Sequence, residues 1–278
     1  MKRLFVILLL CIATPLFSGS EETEGGIQGT GANPVGVFGT VTKLGSIYVN
    51  GIRVTYDANA QVNSPIGSFP ANRLRPGDTV ALEVVAKGKN FRAVRISDAP
   101  ALIGPVKNGK VLGVSVVGAK AYADGEWLLV SGLWAQKGLD VTRIRKIAPQ
   151  EFVLVQGDYR PARRQVGDVR LGNVTLKHAR PFETLRVYMT TDGKIQRVQK
   201  GLFSPTVTRT LIEGYLTNPL VTGEYTVRGG DIVAYAKGGG EMPTLRNYYC
   251  ATLGGAFGTV EIIGNNPGDA MGCLLRKD

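Results

Sequence analysis

Acyl transfer by a side-chain nucleophile needs a nucleophile, a base and an oxyanion site. His178 is the sole imidazole in 278 residues, so any Ser-His or Cys-His mechanism would run through it. It stands in the stretch TLKHARP, which reads as a strand end, where an exposed or edge histidine is the simpler reading. No G-x-S-x-G elbow is present, and neither Ser131-Gly132 nor Ser204-Pro205 has the flanking pattern. For glycoside hydrolysis, Asp78 and Glu83 lie on or beside one strand, but Asp78 follows Gly77 and suits a turn better than a general acid. Catalytic carboxylates can meet only in three dimensions, so a glycan hydrolase stands as the alternative reading. Glycine-rich stretches at Gly25–Gly31 and Gly238–Gly240 do not sit between a strand and a helix and read as linker and loop.

Basic and aromatic residues interleave more suggestively. Tyr159, Arg160, Arg163 and Arg164 fall in GDYRPARRQVGD, and Arg143 and Arg145 close the preceding strand. A groove with cationic sides and aromatic platforms is how small barrels hold single strands or glycans. These six residues are the candidate binding site; Arg92 and Arg95 read as a solvated strand face. Trp127 and Trp134 read as core packing rather than ligand platforms. The net charge of +11 favours anionic partners without identifying one. Nothing calls for a cofactor, and with one histidine and no metal-ligand spacing no metal site is expected.

The elements that must position these residues are β-hairpins. Gly77–Ile96 (GDTVALEVVAKGKNFRAVRI) and Gly125–Ile144 (GEWLLVSGLWAQKGLDVTRI) align without a gap, so the chain repeats one small unit. Short Val, Ile, Thr and Tyr runs, 37 glycines and the lack of long helical periodicity predict an all-β protein. The architecture expected is a tandem of small OB-like barrels or bent antiparallel sheets with a C-terminal β appendage.

Residues 1–20 read as an export signal: Lys2 and Arg3, an apolar Leu4–Ala13, then Ser18-Gly19-Ser20. The apolar run is too short to cross a bilayer, so the mature chain is expected to be periplasmic or secreted rather than integral to a membrane. Cys11 follows Leu8-Leu9-Leu10, which is no lipobox, and reads as a small hydrophobe. Residues 21–35 form a Gly-rich leader; β units follow at 36–103, 104–147 and 148–200, and residues 201–278 form the appendage. Asn50-Gly51 and Asp192-Gly193 mark hairpin turns. The second unit's strands are expected at Lys110–Val117, Trp127–Leu133 and Leu139–Ile147, its first hairpin degraded. In an exported chain Cys250 and Cys273 are expected to pair as a disulfide.

The segment GTVTKLGSIYVNG (Gly39–Gly51), with GGIQGTG (Gly25–Gly31), LRPGDTVALEV (Leu74–Val84) and the closing Ala93-Val94-Arg95-Ile96, resembles a group of bacterial envelope domains, domain-of-unknown-function family 5666. The second unit supplies the closing variant Val141-Thr142-Arg143-Ile144. The resemblance is good over Gly25–Ile147, weaker to Lys200 and limited beyond. It implies an exported barrel-like module and carries over no catalytic residues. The function expected is non-enzymatic: a binding or structural module of the cell envelope that recognises a protein or an anionic envelope polymer through basic loops. An envelope glycan hydrolase is the alternative.

Overall fold

The computed structural model of the protein describes residues 34–43, 45–216, 224–229, 232–235, 246–252, 259–264 and 267–275. The expected export signal with Cys11, residues 21–33 of the leader, and the loop at 238–240 lie outside them. The protein is all-β, a closed five-stranded barrel with further sheets.

The first unit contains β1 (Val35–Lys43), β2 (Ile47–Val49), β3 (Ile52–Thr55), β4 (Gln61–Asn63), β5 (Phe69–Pro70), β6 (Thr79–Lys87) and β7 (Asn90–Asp98). Asn50 and Gly51 both take positive φ, 52° and 75°, in the two-residue turn between β2 and β3. The barrel closes because β1 pairs with both β2 and β6, β6 with β7, and β7 runs parallel to β3. Around the barrel the order is β1-β2-β3-β7-β6, an OB-like closure. Residues 57–76, between β3 and β6, contribute β4, which lies parallel to β7 further along.

The second unit is β8 (Leu102–Lys107), β9 (Lys110–Val111), β10 (Val114–Ser115), β11 (Trp127–Trp134) and β12 (Leu139–Ile147). The expected strand Lys110–Val117 is in fact a hairpin, broken where Leu112 and Gly113 take φ of 51° and 80°. The third unit is β13 (Val153–Arg160), β14 (Gln165–Val166), β15 (Val169–Arg170), β16 (Thr184–Met189) and β17 (Ile195–Lys200). The fourth is β18 (Arg209–Gly214), β19 (Glu224–Val227), β20 (Ile232–Tyr235), β21 (Asn247–Thr252) and β22 (Thr259–Gly264), followed by the helix α1 (Pro267–Leu275).

These four sets share one plan. A long first strand pairs antiparallel with a later second strand: β1·β6, β8·β11, β13·β16 and β18·β21. A hairpin stands between them, and a closing strand pairs with the second. Each first strand divides its remaining edge at a glycine: Gly39, Gly104, Gly157 or Gly214. Before the glycine it pairs with the first strand of another unit, β1 with β18 in parallel and β8 with β13 antiparallel. After it, the strand meets its own hairpin. The hairpin turn folds onto the glycine: a Cβ on Gly157 would lie 2.8 Å from Gly167 N, and one on Gly214 would lie 2.8 Å from Val227 Cγ1. So the stretch expected as an appendage is built on the same plan and is docked edge-on to the barrel.

Apolar residues of the second and third units form one shared core running from Ala101 to Met189. The barrel core is completed from the far end of the chain, by Leu211, Cys250, Cys273 and Leu274. The expected disulfide is present: Cys250 on β21 bonds Cys273 on α1, Cα–Cα 5.8 Å, across 23 residues. It ties α1 beneath the barrel. Closing a loop of that length stabilises by about 3 kcal/mol in the chain-entropy model. Cys250→Ser is therefore expected to lower the melting temperature by roughly 2–4 °C for each kcal/mol lost. Calorimetry of the oxidised protein against the variant checks this, and superimposable curves would refute it.

Candidate functional site

The residues singled out by sequence do not form one patch. Tyr159 is 1% exposed, and its hydroxyl accepts a hydrogen bond from Leu176 N at 3.0 Å, so its ring is core. Arg160 donates to Asp158 at 2.7 Å. Arg163 and Arg164 are exposed on the turn after β13, Arg164 with φ of 50°. Arg143 and Arg145 face the first unit instead. Arg143 pairs with buried Asp78 at 2.9 Å, Arg145 with buried Asp98 at 2.8 Å and more loosely with Asp78 at 3.6 Å. They brace one unit against another.

Two further networks do similar work. Arg228, wholly buried, pairs with Asp168 at 2.8 Å and Asp158 at 3.4 Å, donates to Ala135 O and lies over Trp134. Arg246 donates to Glu213 and to Thr40 Oγ1, at 2.7 and 2.8 Å, while Glu213 accepts from Thr40 N. Beside it Tyr215 donates to Asp140, and burial with that bond pushes its pKa up to about 12. Both tryptophans are buried and His178 is exposed. Acidic pairs that the fold gathers, among them Asp78 with Asp98, Asp158 with Asp168 and Asp140 with Glu213, are each bridged by an arginine. Among the described residues no three His, Cys, Asp or Glu side chains are grouped to hold a metal, and no helix is long and apolar enough to cross a membrane.

What the fold leaves open is a cleft of about 470 Å³ between the first and third units. Its walls carry four cations, Arg95 on β7, Arg186 on β16, and Arg197 and Lys200 on β17, and no acidic side chain lines it among the described residues. Leu202, Phe203 and Pro65 add half-buried apolar surface. The cations are held in place from behind. The Arg186 guanidinium donates to Gln156 Oε1 through Nε and Nη2, at 3.0 and 2.6 Å, and to Asp98 O at 3.2 Å. Arg95 reaches Glu83 at 3.2 Å, and Lys200 reaches Glu183 at 3.4 Å. Arg197 instead lies over the ring of Tyr188, 3.9 Å from its centroid, and pairs with no carboxylate among the described residues.

The repeat explains this exception. Arg95, Arg143 and Arg197 occupy the same place in three units, opposite Glu83, Ser131 and Tyr188 on their second strands. The first arginine has Glu83 and the second reaches Asp78. In the third unit the position across the ladder is a tyrosine, so the guanidinium stacks and keeps its donors for something else. Sequence reasoning placed Arg95 on a solvated face and left out Arg186, Arg197 and Lys200. Aligning the third closing strand, Ile195-Gln196-Arg197-Val198, under Ala93-Val94-Arg95-Ile96 would have exposed the odd arginine.

No family model, curated protein or solved structure matches the chain.

Proposed function

We propose that the protein is an exported, non-enzymatic recognition module of the cell envelope that holds an extended anionic partner in the cleft between its first and third units. The observation that carries this reading is the wall of Arg95, Arg186, Arg197 and Lys200, lined by no carboxylate among the described residues. Anchored guanidinium groups lose little freedom when they bind, so such a wall favours carboxylate, sulfate or phosphate groups. The overall charge of +11 draws a polyanion toward the surface, and exposed Arg163 and Arg164 extend that field.

The test is binding of fluorescent dextran sulfate to the full chain across a salt series. Arg95→Glu with Arg197→Glu is expected to weaken binding and to flatten the log K against log salt line, by about one unit of slope for each sulfate no longer neutralised. Arg163→Glu with Arg164→Glu changes net charge equally and serves as the comparison. Equal weakening by both pairs would mean diffuse attraction and would overturn the cleft. Unchanged binding in the first pair would do the same.

A further inference from the structure

Each closing strand has an outer edge, the one not paired with its second strand. In the first unit that edge of β7 is taken by two parallel strands: Val54 and Thr55 of β3 pair with Phe91 and Arg92, and Val62 and Asn63 of β4 pair with Ile96 and Ser97. In the second unit β12 lies against the first, where Thr142 Oγ1 donates to Gly77 O at 2.6 Å. In the fourth, β20 lies alongside β22. The third unit differs. Its hairpin strands β14 and β15 are two residues each and pair with β13 and each other, not with β17. Among the described residues β17 pairs only with β16. Gln196, Arg197, Gln199 and Lys200 are exposed.

We infer that the outer edge of β17 accepts an extended acidic segment of a partner protein, which adds to the sheet as a parallel strand and lays its carboxylates in the cationic cleft. This rests on the cleft reading above and names the occupant. The parallel direction follows the repeat, since both strands that cover the equivalent edge of β7 run parallel to it. The charge follows the register. Arg186 faces Gln199 and Tyr188 faces Arg197 across the ladder, so these four share one face, and all four line the cleft. The next pair, Val187 with Val198, lies on the opposite face. An incoming strand therefore meets Arg197 on the cleft face and, on the other, Val198 between Gln196 and Lys200, whose ladder partner is Leu185; acidic side chains suit the first face and an apolar one against Val198 suits the second. Main-chain hydrogen bonds supply affinity in strand addition, and the alternate side chains supply specificity. A sheet edge bearing Arg197 and Lys200 also resists pairing with a second copy of itself.

The probe is an acetylated octapeptide of alternating Glu and Val, beside the same peptide N-methylated at every second residue. N-methylation removes main-chain donors and leaves every charge. Titration into the full chain is expected to show saturable binding of the plain peptide, at least tenfold weaker binding of the methylated one, and amide exchange protection along residues 195–200. Arg197→Glu is expected to weaken the plain peptide by a similar factor. Equal, salt-labile binding of both peptides would mean that charge alone is captured, which overturns strand addition and leaves the cleft reading intact. Absence of peptide binding while dextran sulfate still binds would identify a polyanion as the occupant and overturn the proposal. Protection appearing on another strand would overturn it as well.

Discussion

Arg228→Met is expected to destabilise the protein by about 3–5 kcal/mol, the range for removing one partner of a buried ion pair. Arg228 is among the largest fully buried side chains, and its guanidinium meets Asp158, Asp168 and the carbonyl of Ala135 at once. Methionine would fill much of the volume and still touch Trp134, so packing loss is small. The loss is electrostatic: Asp158 is wholly buried and would keep only Arg160. Arg228→Lys is expected to recover little, because one ammonium does not reproduce a fork that spans two carboxylates and a carbonyl. Urea unfolding read by circular dichroism measures the loss, and the near-ultraviolet band reports Trp134. A loss below about 1 kcal/mol would mean that Arg160 alone satisfies Asp158, and the network would not be what joins the third unit to the fourth.

Much of this fold is legible before any coordinates. Asn50-Gly51 places the first hairpin, Gly77-Asp78 and Gly125-Glu126 start two second strands, and the cysteine pair is what the expectation of export implies for two thiols. The third copy is masked by one substitution. Arg75-Pro76-Gly77-Asp78, Ala123-Asp124-Gly125-Glu126 and Arg180-Pro181-Phe182-Glu183 make the same turn, and each acidic side chain accepts from the backbone N–H three residues earlier. Gly77, Gly125 and Phe182 take φ of 93°, 91° and 64°. A pattern search keyed to glycine passes over Phe182, which holds a conformation that side chains disfavour. The fourth copy is masked in another way. Tyr225-Thr226-Val227-Arg228-Gly229 stands where Ile47-Tyr48-Val49-Asn50-Gly51 stands in the first, but residues between β18 and its hairpin stretch the spacing.

The candidate site was hidden for a different reason. Arginine is easily placed on a strand, and composition treats every copy alike. Arg143 and Arg145 read as candidate cations and Arg197 was passed over, yet Arg143 and Arg145 are engaged by Asp78 and Asp98, residues 65 and 47 positions away in the chain. Whether a cation is free depends on which carboxylates the docking of units delivers to it. That pairing is non-local, and periodicity within a strand does not encode it.

The same docking sets the last expectation, Arg145→Met. Asp98 is buried, with its pKa raised by desolvation; Arg145 and the Ser64 hydroxyl pull it back, while Asp78 adds repulsion. A carboxyl whose folded pKa stands above its unfolded value binds its proton more tightly when folded. Its contribution is therefore largest at low pH and is lost as pH rises through the folded value. Removing Arg145 takes away the main opposing effect and widens that gap. The variant is expected to lose about 3–5 kcal/mol near neutrality. The deficit against the parent is expected to shrink as pH falls through the raised folded values of Asp98, above the ordinary carboxylate range, because the variant's carboxyl takes up its proton first. Parallel urea titrations of parent and variant at several pH values measure the difference, which cancels the carboxylates that Arg145 does not touch; Asp78, at 3.6 Å, is the other one it does. A deficit that stays constant with pH would mean that the loss is one of packing, against Phe69 above all, over whose ring the Arg145 guanidinium lies at 5.7 Å. A deficit that follows Asp98 would mean that Arg145 is the cation that keeps this buried carboxylate charged. The second unit would then be held to the first by a pair whose two halves lie on different units, which is why neither half reveals it in its own strand.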